Sequence, residues 1–214
     1  MDDERYYLEP LAAFVRGKRP DAPALDDEGL LAWARAEGLR VHRFKRSAEL
    51  PRVKRVIGIL RSLAPADLLD VGSGRGVFLW PLLDAFPHLP VTSLEVDERR
   101  ASDLVAVREG DYARLGVVCA DVREATLDDG AADVVTVLEV LEHLPDPIRA
   151  ARNALRMARR AVVVSVPSKP DDNPEHIQLF SKASLEALLL EAGAARVSVE
   201  FVLNHMIAVA RPGA

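Results

Sequence analysis

Four side chains in this sequence could work together as acid, base or metal ligand: Glu139, Glu142, His143 and His176. The first three stand at i, i+3 and i+4, so one helical turn would present them on a single face. Two carboxylates and two imidazoles that converge suit a divalent ion such as Mg²⁺ or Mn²⁺. A metal there would acidify a bound hydroxyl and orient it. Without one, His143 could take a proton from an oxygen or nitrogen nucleophile directly, with Glu142 and His176 beside it. A third reading makes the group structural. Spacing alone does not choose among the three.

The elements that must hold these residues are strands ending in polar groups. Leu68 to Val71 is a short apolar run carrying Asp70, and Gly72, Ser73, Gly74, Arg75 and Gly76 follow it. This reads as a buried parallel strand, a glycine-rich turn and, from Val77 to Phe86, a helix. Glycines at alternate positions let the backbone turn sharply and approach a ligand. A second strand, Val91 to Leu94, ends at Glu95, with Asp97 just beyond; a third, Gly116 to Ala120, ends at Asp121. A fourth, Ala132 to Leu138, leads into Glu139, and a fifth, Ala161 to Val166, leads into Pro167. Open α/β sheets bind ligands at such carboxyl ends, and an acid after the second strand is placed for ribose hydroxyls.

With these residues in view, the chain resembles class I S-adenosylmethionine-dependent methyltransferases, of the type that includes the ubiquinone-pathway enzymes. The resemblance runs from about Leu60 to Arg211. It rests on Leu-Leu-Asp-Val-Gly-Ser-Gly-Arg-Gly at 68–76, Glu95, Ala-Asp-Val at 120–122 and Val-Leu-Glu-Val-Leu-Glu-His-Leu-Pro-Asp-Pro at 137–147. The phrase from Glu175 to Gly193 adds to it. It implies an α/β, Rossmann-like, doubly wound seven-stranded sheet, mostly parallel, with an antiparallel C-terminal strand. It also implies S-adenosylmethionine as cofactor. Asp70, Gly72, Ser73, Gly74 and Gly76 would hold its methionine portion, Glu95 with Val96 the ribose, and Asp121 with Val122 the adenine. Glu139 would border the same crevice. Where the family often has Gly-Val-Asp, this chain has Ser93-Leu94-Glu95, and Asp97 is a rival for the ribose role. Glu-x-x-Glu-His with a later His also resembles the metal site of small-RNA 3′-terminal 2′-O-methyltransferases. The expected activity is methylation of a hydroxyl, less readily an amine, on a small metabolite. The alternatives are metal-dependent RNA ribose methylation and a non-catalytic, cofactor-binding regulator.

Composition bounds the rest. At 214 residues, 49% hydrophobic and 29% charged, the chain is globular,. No apolar run is long enough for a membrane span and no leader is visible. One cysteine, Cys119, excludes an internal disulfide and suits a reducing, cytoplasmic setting; late in the third strand, it is expected to be a buried small hydrophobe. Between Arg35 and Arg61, nine basic residues face two acids within a chain of net charge −5. Such a window could attract an anionic substrate or RNA, although it lacks interleaved aromatics to stack bases. Residues 1–60 read as an N-terminal helical cap over the crevice, ahead of a core from 61 to 214. The cap's segments are Leu8 to Val15, a helix from Asp26 to Gly38, and a third opening at Pro51 and running through Leu63. Asp146, between two prolines, reads as a turn or helix cap. A helix ends at Gly193, and two strands joined at Asn204 and His205 close the sheet. His42, His88 and His205 are expected to be surface or structural residues. Asp171 and Asp172 are expected in a loop near His176.

Overall fold

The computed structural model describes residues 7–41, 50–170 and 172–213. His42, most of the basic stretch before Leu50, and Asp171 lie outside them. In chain order the elements are α1 (Leu8–Lys18), α2 (Asp27–Ala36), α3 (Pro51–Leu63), β1 (Leu68–Val71), α4 (Leu79–Ala85), β2 (Val91–Glu95), α5 (Glu98–Glu109) and β3 (Leu115–Cys119). These are followed by β4 (Ala132–Leu138), a single 3₁₀ turn (Leu141–His143), α6 (Pro147–Met157), β5 (Ala158–Pro167), α7 (Lys182–Glu191), β6 (Ala194–Val202) and β7 (His205–Pro212).

The described strands form one seven-stranded sheet in the order β3-β2-β1-β4-β5-β7-β6. β1 to β5 pair in parallel, and β7 runs antiparallel to both β5 and β6. The central strands are apolar runs buried on both faces, as a doubly wound sheet requires,. The order reverses between β1 and β4, which opens a crevice at their carboxyl ends. Helix starts follow local chemistry. Asp97 caps α5 by accepting from the Arg99 and Arg100 amides, Asp146 caps α6, and Ser181 with Ser184 forms a reciprocal cap on α7,. Pro51 and Pro147 stand in the first turns of α3 and α6, where a missing N–H costs nothing,.

The N-terminal helices divide. α1 lies over α5 and α2 packs on α1, and their apolar residues Leu11, Phe14, Leu30 and Leu31 join the same buried cluster as Leu68, Leu79 and Leu104. Gly17 makes this close approach possible, because a Cβ there would stand 1.9 Å from the Ala106 carbonyl oxygen. Of the described N-terminal helices only α3, whose apolar face is Val53, Val56, Ile57, Leu60 and Leu63, borders the crevice. Among the described residues, α1 and α2 do not line the crevice. The reading of Cys119 is corrected: it is exposed, because β3 is an edge strand whose tip emerges from the sheet.

Candidate active site

The β1 tip organises the crevice. Asp70 is 2% exposed, and both of its carboxylate oxygens accept hydroxyl hydrogen bonds. Ser73 Oγ donates to Oδ2 at 2.6 Å and Thr136 Oγ1 to Oδ1 at 2.7 Å. Ser93 Oγ lies 2.7 Å from Ser73 Oγ and extends the chain to β2. Burial pushes the Asp70 carboxyl up to about 6, against the two hydroxyls that favour its charge; nearby Glu95 adds to the rise,. Glu95, equally buried, accepts from the Gly74 amide at 2.8 Å and the Asp97 amide at 3.1 Å. It thereby ties the glycine loop to the β2 tip. Gly74 has φ +57°, and its missing Cβ would meet nothing nearer than 3.7 Å. The bare backbone is turned toward open space, as a ligand cradle requires.

A cavity of about 220 Å³ lies between this loop and α3. Asp70, Gly72, Ser73 and Gly74 form one wall, and Arg52, Val53 and Val56 of α3 face them. Val77 and Phe78 add apolar surface, Arg75 and Arg100 add cations, and Glu139 and Ser165 close the far end.

Glu139 stands at the β4 tip with φ +55°, left-handed backbone that is uncommon for a side chain other than glycine,. Its amide donates to the Ser165 carbonyl at 2.9 Å. Its carboxylate accepts from Ser165 Oγ at 2.6 Å and contacts His205 Nε2 at 3.1 Å, with Arg52 Nε 3.9 Å away. Burial works against its charge, but the bonds from His205 and Ser165 and the nearby Arg52 prevail and hold the carboxyl below its usual value.

This left-handed residue breaks the expected alignment. The chain turns away after Glu139, and only Leu141–His143 forms a 3₁₀ turn. Glu139 therefore leaves the quartet. Among the described residues Glu142, His143 and His176 alone converge, with their ligand atoms all within 4.8 Å of one another. The segment 173–178 is tied to the turn: the Ile177 amide donates to the Glu142 carbonyl at 3.0 Å, and Gln178 Nε2 donates to the Leu141 and Leu144 carbonyls at 3.0 and 2.6 Å. His143 and His176 pack edge to face at 4.8 Å between ring centroids. His143 Nδ1 lies 2.9 Å from the Glu175 carbonyl. That oxygen can only accept, so Nδ1 carries the proton and Nε2 is left as base or ligand.

The remaining sequence candidates lie outside the cavity lining. Val96 is 62% exposed, Val122 is buried in the second core cluster, and the Asp121 carboxylate is gripped by Arg123, with Nη2 at 2.6 Å. That hydrogen bond is the main reason Asp121 lies below its ordinary value. None of the three lines the cavity, and Gly76 instead makes room for the Trp80 indole. Asp97 is occupied as a helix cap. Sequence reasoning overlooked Arg52, Arg100, Ser165 and His205. The missed signal for His205 was topological: β7 runs antiparallel, so its first residue pairs with Pro167 at the same rim as the parallel strand tips.

The chain matches the methyltransferase domain family over residues 41–199. It is 30% identical over 149 residues to a probable S-adenosylmethionine-dependent methyltransferase of Mycobacterium tuberculosis, covering 63% of this chain and 52% of that protein. It is 32% identical over 93 residues to the ubiquinone biosynthesis O-methyltransferase of Ralstonia nicotianae, covering 42% and 37%. The chain thus spans about half the length, or less, of these relatives. The crystal structure of magnesium protoporphyrin IX methyltransferase from Synechocystis PCC 6803 with bound SAH has the same fold. Its TM-score is 0.60 at 17% identity, over 76% of this chain and 82% of that one. The chain belongs to the methyltransferase domain family.

Proposed function

We propose that this member of the methyltransferase domain family binds S-adenosylmethionine between the glycine loop and α3 and methylates a hydroxyl of a small metabolite. The bound sulfonium supplies an activated methyl group, so the protein must align the acceptor and accept its proton. The observation that carries the reading is the cavity itself. It joins an exposed-backbone glycine loop to a carboxylate-bearing far wall under one covering helix. Its chemistry fits the donor. Asp70 and Glu139 offer carboxylates to a cationic ligand. Gly72, Ser73 and Gly74 leave space for the methionine end. Glu95 fixes the loop and stands, with Val96, on the ribose side, and Asp121 and Val122 stand on the adenine side. Val53, Val56 and Phe78 exclude water from the reacting end.

Support for oxygen as the acceptor atom comes from the Ralstonia relative, an O-methyltransferase of ubiquinone biosynthesis. A small acceptor suits the enclosed, partly apolar lining better than a polynucleotide does. Within the described part of the basic window, Arg52 turns toward Glu139 and Arg55 pairs with Glu200.

The convergence of Glu142, His143 and His176 supports a second element of the reading, a divalent-metal site of three protein ligands. Their spread is close to the roughly 4.4 Å that two bonds of about 2.2 Å span,. These residues would hold Mg²⁺ or Mn²⁺, whose chemistry is to acidify and orient an acceptor hydroxyl.

Calorimetry with S-adenosylmethionine and with its demethylated product tests the main reading. Saturable binding that weakens in Asp70→Asn is expected; no binding by the folded protein would overturn it. Titration with Mn²⁺ tests the second, with binding expected in the wild type and lost in His176→Ala. Equal Mn²⁺ binding by both proteins would leave these residues as a direct base and its neighbours.

A further inference from the structure

A second groove, of about 400 Å³, lies on the opposite side of α3 from the crevice residues, between that helix and the β6–β7 edge. It is lined by Arg55, Gly58, Ile59, Ser62 and Leu63 of α3 and its end, and by Arg196, Ser198, Val209 and Arg211 of the sheet. No carboxylate lines it. Arg55 is already matched, because its guanidinium holds Glu200 with two bonds of 2.5 and 2.8 Å. Arg196 and Arg211 are not so matched: no acidic partner is assigned to either among the described residues.

The pairing of these two arginines is built into the sheet. The regular ladder that runs outward from Val202 opposite His205 sets Arg196 opposite Arg211. A bulge follows only beyond this pair, between Ala194 and Arg196. Directly opposed residues have Cβ atoms about 4.5–5.5 Å apart, and like charges in that position are destabilising. The hairpin's own register therefore sets two cations opposite each other. One Arg211 N–H donates to the Arg160 carbonyl at 3.1 Å, which steadies the side chain and leaves its other donors for a ligand,. Ser198 follows Arg196 by two residues on the same face, and Ser62 faces it from α3,. Two planar forks and two hydroxyls lining one groove suit a tetrahedral oxyanion,.

We propose that this groove binds a phosphoryl group carried by a small molecule, with Arg196 and Arg211 as paired donors and Ser62 and Ser198 as supporting ones. The site is separate from the crevice, and the inference does not depend on methyl transfer.

The test uses the full chain in low-salt, phosphate-free buffer, where exposed charges are least screened. Pyrophosphate is titrated by calorimetry into wild type and R196Q/R211Q, and melting is followed in parallel. Saturable binding is expected, weakened at least tenfold in the double variant. Pyrophosphate should raise the melting temperature of wild type but not of the variant. Without any anion the variant should melt close to wild type, the relieved repulsion offsetting the lost Arg211–Arg160 bond; this control also shows that it folds. A single-stranded oligonucleotide that binds while pyrophosphate does not would overturn the small-molecule assignment. Equal responses to pyrophosphate and chloride, or binding unchanged in the variant, would reduce the arginines to charges protecting the β6 edge.

Discussion

Asp70→Asn separates what the buried acid costs the fold from what it does for a ligand. A carboxyl whose midpoint moves from 3.8 to about 6 is penalised by roughly 3 kcal/mol when charged, at 1.36 kcal/mol per tenfold change in proton affinity. Burial is the main cause, opposed by Ser73 and Thr136 and reinforced by Glu95. The folded state therefore binds the proton more tightly than the unfolded chain. Relative stability from this group is fully present below about pH 4 and is lost as pH rises through about 6. Asparagine removes the charge but offers one acceptor where the carboxylate offers two. One of the two hydroxyls must then reverse, and Thr136 Oγ1 has the Leu69 carbonyl at 3.4 Å to turn toward. Allowing about 1 kcal/mol for that rearrangement, the variant should be about 2 kcal/mol more stable than wild type at pH 8. The gain should shrink to nothing or reverse near pH 4. Urea melts across that range measure it. At the same time the variant should bind S-adenosylmethionine more weakly at pH 8, since a cationic ligand loses its carboxylate. Parallel stability curves for the two proteins between pH 4 and pH 8 would refute the reasoning.

Three further outcomes follow from the same geometry. Calorimetry on wild type should show affinity for S-adenosylmethionine falling as pH drops below about 6, because protonation of Asp70 removes the charge that the ligand meets. Glu95→Ala should weaken that affinity by about ten- to a hundredfold, the loss of roughly 1.5–3 kcal/mol in charged hydrogen bonds, because the Gly74 amide loses its anchor; unchanged affinity in a folded variant would remove Glu95 from the site. Gly76→Ala should lower the melting temperature by at least about 4 °C, at roughly 2–4 °C per kcal/mol, since a Cβ at φ +80° would stand 1.8 Å from the Trp80 indole nitrogen; a differential scan measures it.

Where chemistry is local, the sequence was legible. Apolar runs ending in acids located β1, β2, β4 and the β1 loop to within a residue or two, and Pro51 marked the start of α3. Asp146 is the cap that its flanking prolines suggested. What failed was whatever depended on one backbone angle or on remote packing. Nothing in Glu-Val-Leu-Glu-His announces a left-handed Glu139, yet that angle separates Glu139 from Glu142. Cys119 sits in an apolar run, but its exposure follows from the place of β3 in the sheet order. α1 and α2 are amphipathic in sequence, and periodicity cannot say that α1 lies over α5, with α2 packed on α1, rather than over the crevice.

The sheet order also constrains how the chain acquires its shape during translation. β7 follows every other strand in sequence but lies between β5 and β6. Until residues 205–212 have emerged from the ribosome, β5, the longest strand, has one side unpaired and β6 has no neighbour. A nascent chain lacking β7 thus exposes an apolar strand edge of the kind that recruits other chains. The same late segment delivers His205 to Glu139. Completion of the core and of the far wall of the crevice is therefore one event in the life of the polypeptide.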